Sequence, residues 1–233
     1  MRNLLLVSNS TQHGYEYLDH CGDAMRELFA GCSNLLFVPY ALYDLDAYGD
    51  KACQTFASWG LNMKSIHTFD DPAAAVMEAD GVFVGGGNTF RLTKKVHESG
   101  VGEAIQQRAL QDGMPYAGTS AGSNLACWTI RTTNDMPIVY PSSFNGLQLV
   151  PFQINAHYQD PDPDSTHMGE TREQRIKEFH EENPQPVIGL REGAWLQVQG
   201  DKMTLQGTTG AKLFTKDAAA RELATGADLS DLL

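Results

Sequence analysis

Gly118-Thr119-Ser120-Ala121-Gly122 decides how this chain is read. Before it stands Gly113-Met114-Pro115-Tyr116-Ala117, a turn followed by a short buried strand. After it, Ser123-Asn124-Leu125-Ala126-Cys127-Trp128 reads as the first turns of a helix. A serine between two glycines at a strand-to-helix junction has the pattern of a nucleophile elbow. The strand must turn sharply there, which exposes the serine hydroxyl on a strained backbone. Gly118 and Gly122 have no Cβ and let the flanking segments approach closely. The helix N-terminus adds free N–H groups and a positive dipole end, which can stabilise an oxyanion. Alone, the pentapeptide is equally a plain strand-to-helix turn, so its surroundings must decide.

Upstream, continuous apolar runs alternate with helical patterns. Leu4 to Ser8, Asn34 to Tyr40 and Gly81 to Val84 read as strands, as does Asn62 to Phe69, which mixes polar and apolar residues around Ile66. Tyr15 to Phe29, Asp44 to Trp59, the segment after Asp71-Pro72, the segment after Thr89, and Gly102 to Gln111 read as helices. This rhythm predicts an α/β fold with a mainly parallel sheet covered on both faces. Such sheets bind ligands beyond the C-terminal ends of their strands, so Ser8 to Gly14, Gly85 to Thr89 and the Ser120 elbow should converge. Downstream, Leu147 to Ala156 reads as a strand interrupted by Pro151, and Glu173 to Glu182 as a helix. Pro186 to Leu190, Ala194 to Val198, Lys202 to Leu205 and Ala211 to Phe214 are short strands, expected as a meander closing the sheet edge. The chain is taken as a single α/β catalytic domain over residues 1–233.

Composition narrows the partners. The 233 residues carry 17 basic and 29 acidic side chains, a formal net charge of -12. No basic stripe offsets that charge, so nucleic acid is not an expected partner. The N-terminal apolar run is too short for a signal-peptide core or a membrane span. Cys21, Cys32, Cys53 and Cys127 show no C-x-x-C spacing and are expected as free thiols in the cytoplasm. No metal is expected, since no His-Glu-x-x-His occurs and no cysteine and histidine cluster has ligand spacing. Asp160, Asp162, Asp164 and His167 read as a solvated loop. A monomer and a homodimer both fit.

A serine hydroxyl needs a base, and the base needs an orienter. Of seven histidines, His20, His97 and His180 fall in helical patterns and read as surface residues. His67 falls in a strand, and His13 in a loop near the expected pocket. His157 directly follows Gln153-Ile154-Asn155-Ala156, a strand end that suits a base. Glu192 lies just past Val187-Ile188-Gly189-Leu190-Arg191 and is the preferred orienter, with Asp135 its competitor. The Gly85-Gly86-Gly87 run lacks a phosphate-loop register. It reads instead as an oxyanion donor, with an N–H of Gly87 or Asn88 joining that of Ala121. Arg131, Arg172 and Arg175 are candidates for a substrate carboxylate, because arginine offers a planar bidentate partner.

These residues resemble the peptidase E (α-aspartyl dipeptidase) group of the S51 serine peptidases, from Leu4 to about Phe214. The match is carried by Leu6-Val7-Ser8-Asn9-Ser10-Thr11, Val84-Gly85-Gly86-Gly87-Asn88-Thr89-Phe90, Gly118-Thr119-Ser120-Ala121-Gly122 and Asn124-Leu125-Ala126-Cys127. It continues in Thr129 to Ile138, Gln153-Ile154-Asn155 and Gly169-Glu170-Thr171-Arg172-Glu173-Gln174-Arg175. The resemblance implies a three-layer, flavodoxin-like sandwich of the class I glutamine amidotransferase type. It implies hydrolysis of Asp-X dipeptides without a cofactor. By the same resemblance Ser120 is the nucleophile, His157 the base, and Glu192 the third member, with Asp135 also considered. Arg172 would face the substrate aspartate, and Asn88 and Thr89 are expected to bind substrate with it. Glu170 and Asp135 are candidates for the substrate amine. Thr119 and Ala156 stand where members often carry tryptophan and proline. Two alternatives are a hydrolase of β-aspartyl bonds, as in cyanophycinase-like members, and a non-catalytic small-molecule-binding domain.

Overall fold

Strands β1 (Asn3–Val7), β2 (Leu35–Val38), β3 (Met63–Ser65), β4 (Gly81–Val84) and β5 (Tyr116–Thr119) lie parallel in the order β3-β2-β4-β5-β1. The structure is a computed structural model and describes residues 1–166 and 168–233, so His167 lies outside the described residues. Strands β1, β2, β4 and β5 are largely apolar because both their faces are covered, whereas the edge strand β3 carries an exposed Lys64. Leu5, Val7, Phe37, Phe83 and Ala117 pack against α1 (Gly22–Leu28) and α2 (Leu45–Ser58). Their alternate neighbours Leu4, Leu6, Val38, Val84 and Tyr116 join a second core on the opposite face. That face carries α3 (Pro72–Glu78), α4 (Thr89–Glu98), α5 (Val101–Gln107) and α6 (Ala121–Ala126). Helix starts follow the sequence signals: Asp44, Asp71 and Asn88 each accept an N–H from the first turn they cap.

The downstream half departs from expectation. A hairpin, β8 (Ala194–Gln199) and β9 (Lys202–Gly207), extends the main sheet antiparallel beside β1. β6 (Gln153–Ala156), β7 (Val187–Leu190), β10 (Ala211–Phe214) and β11 (Arg221–Leu223) instead build a second sheet in the order β11-β10-β7-β6. The fold is therefore α/β with a mixed main sheet and a second small sheet, not one sheet closed by a meander. The expected strand from Leu147 begins only at Gln153. The N–H groups of Leu147, Gln148 and Leu149 are donated to the carbonyls of Leu125, Cys127 and Ala126. This apolar run thus closes the C-terminal end of α6. The second sheet packs inward through Ile154, Ile188 and Leu213, and outward through Val187 and Phe214 onto Ile176 of α7 (Arg172–Glu182). His67 falls in a short 3-10 turn after β3 rather than in the strand. His180 is buried, its Nε2 3.0 Å from Gln185 O, and is not a surface residue.

Candidate active site

Parallel strands deliver their C-terminal ends to one edge. β1, β4 and β5 therefore bring Ser8, the Gly85–Gly87 loop and Ser120 together. Ser120 has φ +51°, in the left-handed region that non-glycine residues seldom occupy. The turn is kept by two backbone bonds: Ser120 N–H to Val7 O at 2.9 Å, and Asn124 N–H to Ser120 O at 3.0 Å. The second sheet supplies the other groups. β6 and β7 pair in parallel with Ala156 opposite Leu190, so the residues leaving them emerge side by side. His157 is the first beyond β6 and Glu192 the second beyond β7.

The side chains meet in a line. His157 Nδ1 lies 2.7 Å from Glu192 Oε1, and His157 Nε2 lies 2.9 Å from Ser120 Oγ. A carboxylate only accepts, so it fixes the proton on Nδ1 and leaves Nε2 to accept from the serine O–H. This arrangement can move a proton off Ser120 and back.

Asp135 is placed elsewhere. Its Oδ2 accepts the Thr89 N–H at 2.8 Å and the Thr89 hydroxyl at 2.6 Å. It thus occupies the N-terminus of α4, where carboxylates are favoured. Thr89 thus holds Asp135 through both its N–H and its hydroxyl. Asn88 is bonded on three sides. Its N–H goes to Ala41 O at 2.9 Å, its Nδ2 to Met136 O at 2.9 Å, and its Oδ1 accepts from Arg91 N–H at 3.0 Å. Its backbone N–H is therefore committed to Ala41 O, while Nδ2 keeps a second hydrogen beyond the Met136 bond. Gly87, at φ +134°, sits in the same loop. A Cβ on its neighbour Gly86 would stand 3.2 Å from Ser120 Cβ, so the glycines let this loop lie against the nucleophile. Ala121 opens α6, and its N–H has no acceptor within the helix.

Arg172 begins α7, whose capping box pairs Thr171 with Gln174. Its guanidinium lies in the field of both Arg175 and Asp135. Burial and the Arg175 charge hold its pKa below the usual guanidinium range, while Asp135 opposes them. With Glu170 and Arg175 it lines a cleft of 380 Å³. Arg175 pairs with Glu170 at 3.5 Å, and Arg131 donates to Asn183 Oδ1 at 3.1 Å. Asp160, taken in sequence as solvated, binds Arg191 at 2.8 Å and is held below the usual carboxylate range by that hydrogen bond.

Comparison with known proteins fits this geometry. The profile of Peptidase family S51 matches residues 4–206. The chain belongs to peptidase family S51. This S51 peptidase is 54% identical over 231 residues to a Streptomyces coelicolor protein named Peptidase E, covering 99% of the chain and 95% of that relative. It is 48% identical over 234 residues to a Drosophila melanogaster protein named a probable alpha-aspartyl dipeptidase, covering 100% of the chain and 98% of the relative. The crystal structure of a peptidase from an acI-B1 Actinobacterium shares the fold, with TM-score 0.73 at 17% identity, covering 98% of this chain and 96% of that one. Among the described residues of the S51 peptidase, no helix is long and apolar enough to cross a membrane. The sequence places Ser8 and Asn9 in a loop expected at the pocket but assigns neither a part of its own, although two adjacent polar residues just past an apolar strand are a signal in themselves, and both are buried.

Proposed function

We propose that this S51 peptidase hydrolyses Asp-X dipeptides and releases free aspartate. Ser120 is the nucleophile, His157 the base, and Glu192 the group that orients and stabilises the imidazole. The observation that carries this reading is the pair of bonds at His157, to Ser120 at 2.9 Å and to Glu192 at 2.7 Å. Ser120 Oγ attacks the aspartyl carbonyl carbon while His157 takes its proton. The N–H groups of Gly87 and Ala121 stabilise the oxyanion. The tetrahedral intermediate collapses, its C–N bond breaks, and His157 protonates the leaving amine. Water, deprotonated by the same histidine, then attacks the acyl-serine and frees aspartate.

Arg172 pairs with the substrate's side-chain carboxylate, and Asp135 takes its α-amine through Oδ1, since its bonds to Thr89 and Thr133 fall on Oδ2. The names carried by the relatives support aspartate as the recognised residue. We read the fold as flavodoxin-like, of the class I glutamine amidotransferase type. The run β3-β2-β4-β5 has the 2-1-3-4 order of such a sheet, with β1 in fifth place. Four free cysteines suit a cytoplasmic site of action.

The test is aspartate release from α-linked and β-linked Asp-Leu, with a chelator present. Rapid cleavage of the α-linked substrate alone is expected. Cleavage of the β-linked substrate alone would favour the β-aspartyl reading, and cleavage of neither would sink hydrolysis. Arg172→Gln is expected to lower kcat/KM for Asp-Leu by about 10- to 100-fold, mainly through KM, since it removes a charge-assisted pair. Its preference for Asp-Leu over Asn-Leu should fall by the same factor. An unchanged preference would remove Arg172 from the aspartate pocket.

A further inference from the structure

His157 and Glu192 are loosely packed for groups that must keep a fixed geometry. Their side chains are 40% and 51% exposed. Packing gives such side chains little orientation, so the backbone beneath them must supply it.

Both peptide groups are held at both ends. The Ala156–His157 peptide accepts from Asn134 Nδ2 at 2.7 Å through Ala156 O, and donates from His157 N–H to Ser8 Oγ at 2.9 Å. His157 stands at φ +54°, a backbone that persists only where its surroundings impose it. The Glu192–Gly193 peptide accepts from Thr209 Oγ1 at 2.7 Å through Glu192 O, and donates from Gly193 N–H to Asn9 Oδ1 at 2.8 Å. The Ser8 hydroxyl is itself donated to Leu190 O at 2.7 Å, at the end of β7. One hydroxyl thus ties the exits of β6 and β7 together. Ser8 and Asn9 are 0% and 1% exposed, so their bonds compete little with water. The residue before them, Val7, accepts the Ser120 N–H.

We infer that Ser8 and Asn9 are positioning residues of the reaction: the three consecutive residues at the end of β1 each anchor the backbone of one member of the Ser120–His157–Glu192 line. Ser8 fixes the peptide that carries His157, and Asn9 the peptide that follows Glu192. Strand β1 is the ruler against which two sheets are aligned. The inference rests on the roles proposed above for those three residues.

Ser8→Ala and Asn9→Ala are expected to lower kcat for Asp-Leu by about 10- to 100-fold, because misplacement on the order of 1 Å costs that much. KM should move less than about threefold, since neither residue is placed against substrate. Ser65→Ala removes a buried hydroxyl at the far sheet edge, where it bonds His67, and should leave kcat unchanged. Asn9→Ala added to Glu192→Ala should cost less than about twofold, because the peptide it holds no longer carries the acting group. An equal loss in both backgrounds would overturn the inference, and so would unchanged kcat in folded Asn9→Ala. The Nδ1 proton of His157 gives a second readout by NMR that needs no turnover. Its signal should weaken in Ser8→Ala and Asn9→Ala and persist in Ser65→Ala; persistence in all three would also overturn the inference. A wild-type chain inactive on both Asp-Leu isomers would instead refute the proposed function, and the proton signal would still decide the positioning role.

Discussion

Alanine at Ser120 is expected to lower kcat for Asp-Leu by about five orders of magnitude or more, the scale seen when a serine nucleophile is removed from an interdependent triad. The fold should survive. The bonds that hold the elbow come from the backbone of residue 120, to Val7 O and from Asn124 N–H, and alanine keeps both. Alanine also meets the positive φ with no more strain than serine. His157→Ala should be about as damaging, and the double variant hardly worse than either single one, because the two groups act only together. Glu192→Gln should cost less, about 10²- to 10⁴-fold, since it leaves the serine and imidazole in place. The measurement is aspartate release at saturating substrate, with a thermal melt beside it. A folded Ser120→Ala retaining a hundredth of wild-type kcat would refute the acyl-enzyme route.

The sequence made parts of this site legible for identifiable reasons. Ser120 shows itself because its constraint is local: glycines at both flanks and a strand-to-helix change within five residues. His157 and Glu192 were readable as polar residues just past apolar strands. What brings them together is the pairing of Ala156 with Leu190, and register between two strands 30 or so residues apart leaves no mark on either. The second sheet was hidden for the same reason. The run Leu147–Phe152 is apolar enough for a strand, but its amides are claimed by the end of α6, a tertiary choice that overrides pattern. Asn88 sits beside the glycine loop, where an oxyanion donor belongs, but its backbone N–H is taken by Ala41 O and its Oδ1 by the cap of α4, tertiary demands that the local sequence does not show.

The second large effect concerns stability, and it falls on a glycine whose φ is unremarkable. A Cβ at Gly122 would lie 2.3 Å from Val84 O and 3.0 Å from Val84 C. Both are backbone atoms of a strand paired on either side, by β2 and β5, so they cannot retreat. Gly122 O also accepts the buried Tyr116 hydroxyl at 2.7 Å, which fixes α6 from its other side. Gly122→Ala is therefore expected to destabilise the chain by about 3 kcal/mol or more, at or beyond the top of the usual range for core overpacking. Gly14 is the comparison. It has φ +84°, and a Cβ there would meet nothing within 4 Å, so Gly14→Ala faces only the left-handed penalty of about 1–2 kcal/mol. Denaturant melts of the two variants separate close approach from backbone conformation as the reason for a glycine. Gly118→Ala belongs with the first, because its Cβ would stand 2.6 Å from Gly122 C and O. Combined with Gly122→Ala it should not add, since both press on one contact. If Gly122→Ala melts like wild type, α6 can slide away from β4, and the elbow would then owe its shape to the bonds at Ser120 rather than to the glycines around it.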